Sequence, residues 1–406
     1  MKNKKLSFPT KILILDNILC KIFSVFTGIF LSAYFYKISE DYVFQLALYN
    51  VVGWIFATLG AVFLADIIKR KDKIWFYRTG IIIKTIFAFT ILTLGQDITN
   101  HVISLGILYG LMTATNGFPF NMIESENIAN SERIRYLGYG NALTGIVSII
   151  APLIIGRYIT ETSYTAAAVP IIVITVLELI VSFFLKSKNR TAEKLNLKSF
   201  SKKITKDKTL WKLYVIEFLK GFNRNGVMSL IASLIVIRAL SNDTAIGDWS
   251  SVFAALSTIA MLVFAKYYKK PYQTIVVFMF TLIILVSTIL VLISPNFMSI
   301  VFYNIAYDVF LFVVDRIANA NLFDYSTKND YGTKYNTEYF TYREIFLNAG
   351  RIIGYLILMV LALFGMISEA LNIMFVVIII SIVIMSGLIL VTKIPGKNSK
   401  KTKRSY

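Results

Sequence analysis

Polar and charged side chains recur at helical spacing inside stretches that are otherwise apolar. Between 297 and 323, Asn304, Asp308, Asp315 and Asn319 fall within about 60° of one another at about 100° per residue. Arg316 stands a further ~60° off that stripe. Between 209 and 237 lie Glu217, Lys220 and Arg224, the last near the middle of the stretch. An arginine keeps its charge, so in apolar surroundings it demands an acid, an anionic ligand or a water-filled cavity. Asp308 and Asp315 are the candidate acids. A carboxylate released from such a pair takes up a proton more readily, and that is the chemistry of proton coupling: protonation frees the ion pair, and the parts it held can move. Asp308, Asp315 and Glu217 are therefore the expected coupling residues. If neither aspartate reaches Arg224, Arg224 becomes the site for an anionic solute. The alternative for the stripe is a buried polar seam against neighbouring helices, since structural ion pairs perturb their groups as functional ones do.

Further polar groups are expected to line the same cavity as Asn304, Asn319 and Arg224. Asn17 and Lys21 share one side of the first apolar stretch with Ser24 and Gly28; Lys21 either meets Glu217 or extends to the membrane interface. Thr113 and Asn116 stand with Asn121 in the fourth stretch, where Gly117 and Pro119 weaken the helix. Broken helices line substrate paths, with a packing kink as the alternative. Asn348 and Arg351 lie one turn apart in the eleventh stretch, and Arg343 and Glu344 near its start are placed to gate or brace the entrance. A charge at the bilayer centre costs from about 3 to more than 10 kcal/mol, so each of these groups needs a cavity or a partner.

The elements that must position them are membrane helices. Of the 406 residues, 56% are hydrophobic and 16% charged, against about 25% charged in a soluble domain. Apolar spans are read at 12–36, 42–68, 74–95, 101–122, 135–158, 164–186, 209–237, 245–265, 272–293, 297–323, 339–365 and 370–392, each near the ~20 residues that cross a bilayer. In chain order these are spans 1 to 12. They lack the alternation of barrel strands, and helices satisfy their own backbone. The first is too long for a signal peptide and has no clear cleavage site at Ala33 to Tyr36.

Net charge is +19, and its placement argues against nucleic acid. Most of the 42 Lys and Arg fall on one side of the proposed topology: the N-terminus, 69–73, Arg133 and Arg135, 186–208, 266–270, Lys328 and Lys334, and the tail from Lys393 to Arg404. The other side holds Lys37, Arg157 and Arg238. Basic loops mark the cytoplasmic face, so both termini are expected inside, in the cytoplasmic membrane of a bacterium. The tail and linker are placed to touch anionic lipid. One His and one Cys cannot build a His/Cys zinc site, and no cofactor is expected.

The chain also repeats itself. Leu64 to Arg70 is echoed by Phe264 to Lys270, and Asn121 to Glu124 by Asn321 to Asp324, both 200 residues apart. Gly140-Asn141-Ala142 matches Leu347-Asn348-Ala349 once a seven-residue insertion is allowed. Two six-helix halves are expected, 1–186 and 209–406, joined by a Lys-rich cytoplasmic linker at 187–208 whose Leu195, Leu197, Phe200 and Ile204 would form the apolar side of a surface helix.

This architecture resembles the major facilitator superfamily: twelve helices in two pseudo-symmetric bundles, all-α. The family's G-x-x-x-D-x-x-G-R-K element between helices 2 and 3 is matched by Leu64-Ala65-Asp66 and Arg70-Lys71, with Val62 and Lys69 in place of its glycines. The resemblance implies that Asp66, Arg70 and Lys71 act in gating, and that helices 3, 6, 9 and 12 lie outermost, so Lys84 and Glu178 read as structural, with an interhelical pair between them as one arrangement. Gly145, Ala151-Pro152 and Gly156 are similar to the glycine-rich helix 5 of many exporters.

The function expected is secondary active transport of a small solute by alternating access, coupled to protons, with export favoured on the helix 5 likeness. A cation-coupled importer of a polar solute such as a sugar or nucleoside, and a lipid or lipid-linked-sugar flippase, are the alternatives, followed by a non-transporting sensor. An enzyme is not expected: no nucleophile-plus-base set, GxxxxGK[ST] loop or HExxH helix occurs.

Overall fold

The computed structural model describes residues 6–128, 133–186, 195–223, 226–240, 242–268, 270–328, 331, 335–364 and 367–392. Every predicted span is helical. Spans 1 to 6 are Phe8–Ile38, Tyr42–Arg70, Lys73–Leu94, Val102–Asn127, Arg133–Glu161 and Tyr164–Ser182. Span 7 is divided into Lys208–Phe222 and Val227–Ala239. Span 8 is Asp243–Tyr267 and span 9 is Gln273–Ile293. Span 10 is Phe297–Ile305 continued by Ala306–Leu311 and Phe312–Lys328; spans 11 and 12 are Asn336–Leu363 and Ile367–Val391. Among the described residues, ten helices are long and apolar enough to cross a membrane. The difference from twelve stretches arises because Lys73–Gly117 runs on through spans 3 and 4, and because the pieces of span 7, 15 and 13 residues, are each short.

Apolar side chains face outward as well as inward. On span 9, Ile275, Phe278, Leu282, Val286 and Ile289 are all at least 42% exposed, while Val277 and Ile284 on its other side are buried. So large an exposed apolar face would be a liability in water; in a bilayer it is the lipid-facing surface. Spans 3, 6 and 12 show the same two faces, with Ile82, Ile86, Val173, Ile180, Ile380 and Val383 exposed.

Backbones approach closely where glycines meet across spans, as is common between membrane helices. A Cβ on Gly156 of span 5 would lie 2.6 Å from the Asp243 carbonyl, and one on Gly247 of span 8 would lie 2.5 Å from that of Pro152. The helix 5 glycine pattern thus has a packing role against the other half. Spans 2 and 11 form a second extensive contact across the halves.

Among the described residues, spans 1, 7 and 10 are irregular. Span 4, Val102–Asn127, is one helix with Pro119 inside it, so of the two readings, broken helix and packing kink, the break is not seen. The break falls in span 7, around Asn223 and Gly226. Tyr355 donates to the freed Gly226 carbonyl at 3.1 Å, and Ser381 holds the Asn223 side chain through its Oδ1 at 2.5 Å. Span 1 has a π-helical turn at Phe26–Phe30; Phe26 is the 200-residue counterpart of Gly226, so both halves are irregular at one place. Span 10 has another at Ala306–Leu311. A π turn takes up one extra residue and so rotates the remainder of the helix by about 100°. Asn304 and Asp308 therefore no longer share a face with Asp315 and Asn319.

Residues Leu197–Lys206 form the linker helix. Its apolar side is covered by the chain rather than by lipid: Phe200 and Ile204 are buried, Phe200 against the rings of Tyr331, Tyr335, Tyr339 and Tyr342. At its end Asp207 accepts from Tyr325 at 2.6 Å and Tyr331 at 3.1 Å. Burial, and then the Asp207 carboxylate, push the Tyr331 phenol up to about 12, so it remains a hydrogen-bond donor.

Candidate functional site

A buried ionic cluster ties spans 7, 10 and 11 together. Glu217 and Lys220, three residues apart, point the same way from span 7, and their charged ends meet at 2.5 Å. Lys220 also donates to Asn319 Oδ1 at 2.7 Å and lies 3.5 Å from Asp315 Oδ1. Asn319 donates in turn to Asp315 Oδ2 at 3.1 Å, across one turn of span 10. From span 11, Arg343 Nε lies 3.1 Å from Glu217 Oε2 and its Nη1 donates to Glu344 at 2.8 Å. Glu217 and Lys220 are essentially inaccessible, at 0% and 1% exposure, and Asp315 is at 5%. Three acids face two cations in this cluster. It contains Glu217, Asp315, Asn319, Arg343 and Glu344 of the expected site, and its hub is Lys220, noted in the sequence without a role. An i, i+3 Glu–Lys pair inside an apolar span was the signal for that hub.

The remaining expected residues stand elsewhere. Arg224 lies outside the described residues. Asp308, on the π turn and half-buried, accepts from Ser257 of span 8 through its backbone carbonyl at 2.9 Å. Asn304 turns back to the Ile300 carbonyl, and Thr113 to that of Tyr109. Asn116 is buried against Gly80 of span 3, and its Nδ2 has no hydrogen-bond partner. Lys21 is half-buried on span 1.

Asn17 donates to the Tyr136 hydroxyl at 2.8 Å, and Tyr136 donates to Glu124 at 2.5 Å, joining spans 1, 5 and 4. This contact has a counterpart. The repeat carries Asn17 to Glu217 and, past the insertion, Tyr136 to Arg343. Both pairs are in contact, so the duplication read from sequence also relates the two clusters.

Asn348 and Arg351 meet the other half. Arg351 donates to Asn348 Oδ1 at 2.6 Å, and its guanidinium lies 3.8 Å from the centre of the Trp54 ring of span 2. Trp54 packs edge-on to Tyr109, which adjoins Tyr49. A desolvated cation over tryptophan is worth ~2 kcal/mol. Among the described residues, the Trp54 Nε1 and Tyr49 hydroxyl are buried without hydrogen-bond partners.

Each end of the molecule has its own bond between halves. Span 2 is 29 residues long, about 43 Å of helix. At its C-terminal end Asp66 pairs with Arg70 and accepts from the backbone N–H of Leu195 at 2.9 Å. Lys69 meets Glu338 of span 11 at 2.9 Å, and Glu338 also accepts from the Asn196 N–H at 3.2 Å. Lys71 is exposed. Lys69 and Glu338, which sequence alone did not single out, thus carry the connection between halves beside Asp66. At the opposite end Lys37 meets Asp243 at 2.5 Å, and Tyr164 donates to the same carboxylate. Removing one partner of a buried pair costs several kcal/mol. Glu338→Ala should therefore release the linker, with trypsin cleaving the intact chain between Lys198 and Lys206 about tenfold faster or more. An unchanged digestion rate would contradict this role.

Comparison with known proteins agrees with this architecture. Residues 18–333 match the Major Facilitator Superfamily profile. The chain is 23% identical over 333 residues to an uncharacterized protein, YqgE, of Bacillus subtilis (strain 168), covering 80% of this chain and 76% of that one. Among solved structures, it is similar to the nucleoside transporter NupG at a TM-score of 0.66 and 13% identity, covering 94% of this chain and 99% of that one. It is similar to a D-xylose-proton symporter at 0.64 and 11% identity, covering 94% of each. With a profile spanning most of its length, two related helical halves and a lipid-facing apolar surface, this chain is an integral multi-pass membrane protein that belongs to the Major Facilitator Superfamily.

Proposed function

We propose that this protein is a secondary active transporter that moves a small solute across a bacterial cytoplasmic membrane by alternating access, driven by protons. The Lys220 cluster carries the reading. Its three acids and two cations leave one negative charge; Glu217, Lys220 and Asp315 are buried while Arg343 and Glu344 stand partly exposed at the rim, and charge left uncompensated in the buried part is costly. A proton on Glu217 or Asp315 would balance the site and weaken the hold of Lys220 on that acid, loosening span 7 from span 10. Because span 11 contributes Arg343 to the cluster and Arg351 to the interface with span 2, that loosening would reach the contact between halves. The solute would bind at that interface, offered hydrogen bonds by Arg351, Trp54 and Tyr49. With the basic loops inside, the Lys69–Glu338 and Asp66–Leu195 bonds would close the cytoplasmic end, and Lys37–Asp243 the outer one. Gly156 meets span 8 for packing, so it lends no support to a direction of movement.

The test is solute screening in proteoliposomes with a pH gradient imposed in either sense. The native protein should drive net movement of at least one solute. Asp315→Asn or Glu217→Gln should abolish gradient-driven accumulation while leaving solute exchange intact. If both variants accumulate solute as the native chain does, the coupling assignment is wrong. If no solute moves or exchanges under any gradient, the transport reading itself falls.

A further inference from the structure

A second buried charged cluster lies in the other half, away from the interface between halves, where spans 1, 3 and 6 meet. Lys84 donates to Glu178 Oε1 at 2.6 Å and lies 3.4 Å from Cys20 Sγ. Tyr77 donates to Asp16, and its hydroxyl oxygen is 3.5 Å from Glu178 Oε1. Asp16 and Glu178 are both at 0% exposure, and among the described residues Asp16 Oδ1 and Glu178 Oε2 have no hydrogen-bond partner. Around it, Tyr136 of span 5 donates to Glu124 of span 4, and Arg78, next to Tyr77 on span 3, donates to the Ser182 carbonyl of span 6.

The fold does not demand charged groups here. The repeat carries Asp16 to Ile216, Tyr77 to Val277 and Lys84 to Ile284, and all three are buried aliphatic side chains, at 2%, 0% and 0% exposure. The polar contacts between the equivalent spans 7, 9 and 12 are neutral, Thr281 with Ser386 and Ser381 with Asn223, whereas this half holds two acids, a lysine and a phenol. A buried ion pair is weak evidence for stability, since apolar replacements are often as stable, whereas ionisable groups inside a membrane mark ion and proton pathways.

Counting protons narrows the role. One ammonium faces two carboxyl groups, and a single phenolic hydrogen faces two acceptor oxygens. With both acids ionised, one negative charge has no counterpart, and the Tyr77 hydroxyl can donate to only one of them. One added proton corrects both. We propose that this cluster is a proton-binding centre: Asp16 and Glu178 hold one exchangeable proton between them, bridged by the Tyr77 hydroxyl, with Lys84 as the fixed countercharge. It is separate from the Lys220 cluster and needs no solute, so it stands or falls independently of the transport reading.

Infrared difference spectroscopy on the purified full-length chain tests it through the carbonyl stretch of a protonated carboxylic acid. The native protein should show a band from this site that shifts in D2O. Asp16→Asn and Glu178→Gln should each remove it, because the remaining acid then pairs with Lys84. Lys84→Met should raise its intensity about twofold, both acids now being neutral. Glu217→Gln should leave it in place. All variants are compared only where they elute as the native chain does; the Asn and Gln changes are near-isosteric, so they test the proposal even if Lys84→Met does not fold. A native spectrum without an exchangeable carboxyl band, or a band indifferent to both Asp16→Asn and Glu178→Gln, overturns it.

Discussion

Lys220→Met is expected to cost the folded protein about 3–5 kcal/mol, because it strands acids that are closed to water. Lys220 is 1% exposed and touches Glu217, Asp315 and Asn319 together. Arg343 remains beside Glu217, but no arrangement of one guanidinium balances Glu217, Asp315 and Glu344. Chemical unfolding in detergent or lipid nanodiscs measures the loss. A double change removing Lys220 and the charge of Glu217 should recover a large part of it, since replacing both partners of a buried pair costs far less than removing one. A cycle of the two single variants and the double gives the coupling, expected at roughly 1–3 kcal/mol for residues in one ionic network. A Lys220→Met protein as stable as the native one would show that the cluster is not held together by its charges.

Gly221→Ala and Gly350→Ala should be worse tolerated than any other single methyl addition in the membrane. The two glycines lie where spans 7 and 11 touch backbone to backbone. A Cβ on Gly221 would sit 1.8 Å from the Leu347 carbonyl oxygen, and one on Gly350 1.9 Å from that of Phe218. Neither oxygen belongs to a side chain that can swing away, so the helices must separate. Overpacking costs about 1–3 kcal/mol when side chains can adjust; here the Lys220 cluster, one residue away, would be pulled apart as well. The measurement is the yield of monodisperse protein and its melting midpoint. Gly28→Ala is the control, since a Cβ there meets nothing within 4 Å. If Gly350→Ala melts with the control, spans 7 and 11 are not in the contact described.

Much of the molecule was legible in the sequence for a simple reason. Long apolar stretches in a bilayer have to be helical, because lipid offers their backbone no other hydrogen-bond partner. A 200-residue repeat was read there too; Asn17 touches Tyr136, and at the matching positions Glu217 touches Arg343. Of the ion pairs, Lys84 with Glu178 was legible; the other partners were not. Helical phase placed Asn304, Asp308, Asp315 and Asn319 on one line, but the π turn at Ala306–Leu311 divides them, and apolar sequence carries no mark of where a helix takes up an extra residue. Gly117 and Pro119 pointed to a break in span 4. The break occurs in span 7, where Tyr355 of span 11 donates to the Gly226 carbonyl that the break leaves free.

Hydropathy and duplication alone therefore determined that this is a helical membrane protein built from two related halves, because those properties are local and additive along the chain. Which charge meets which was decided by the tertiary structure. Lys220 became a hub, Lys37 joined Asp243, and Lys69 reached Glu338 across 269 residues. Burying an ion is costly enough that its position is set by whichever opposite charge the packing brings within reach, and that distance is a property of helices side by side.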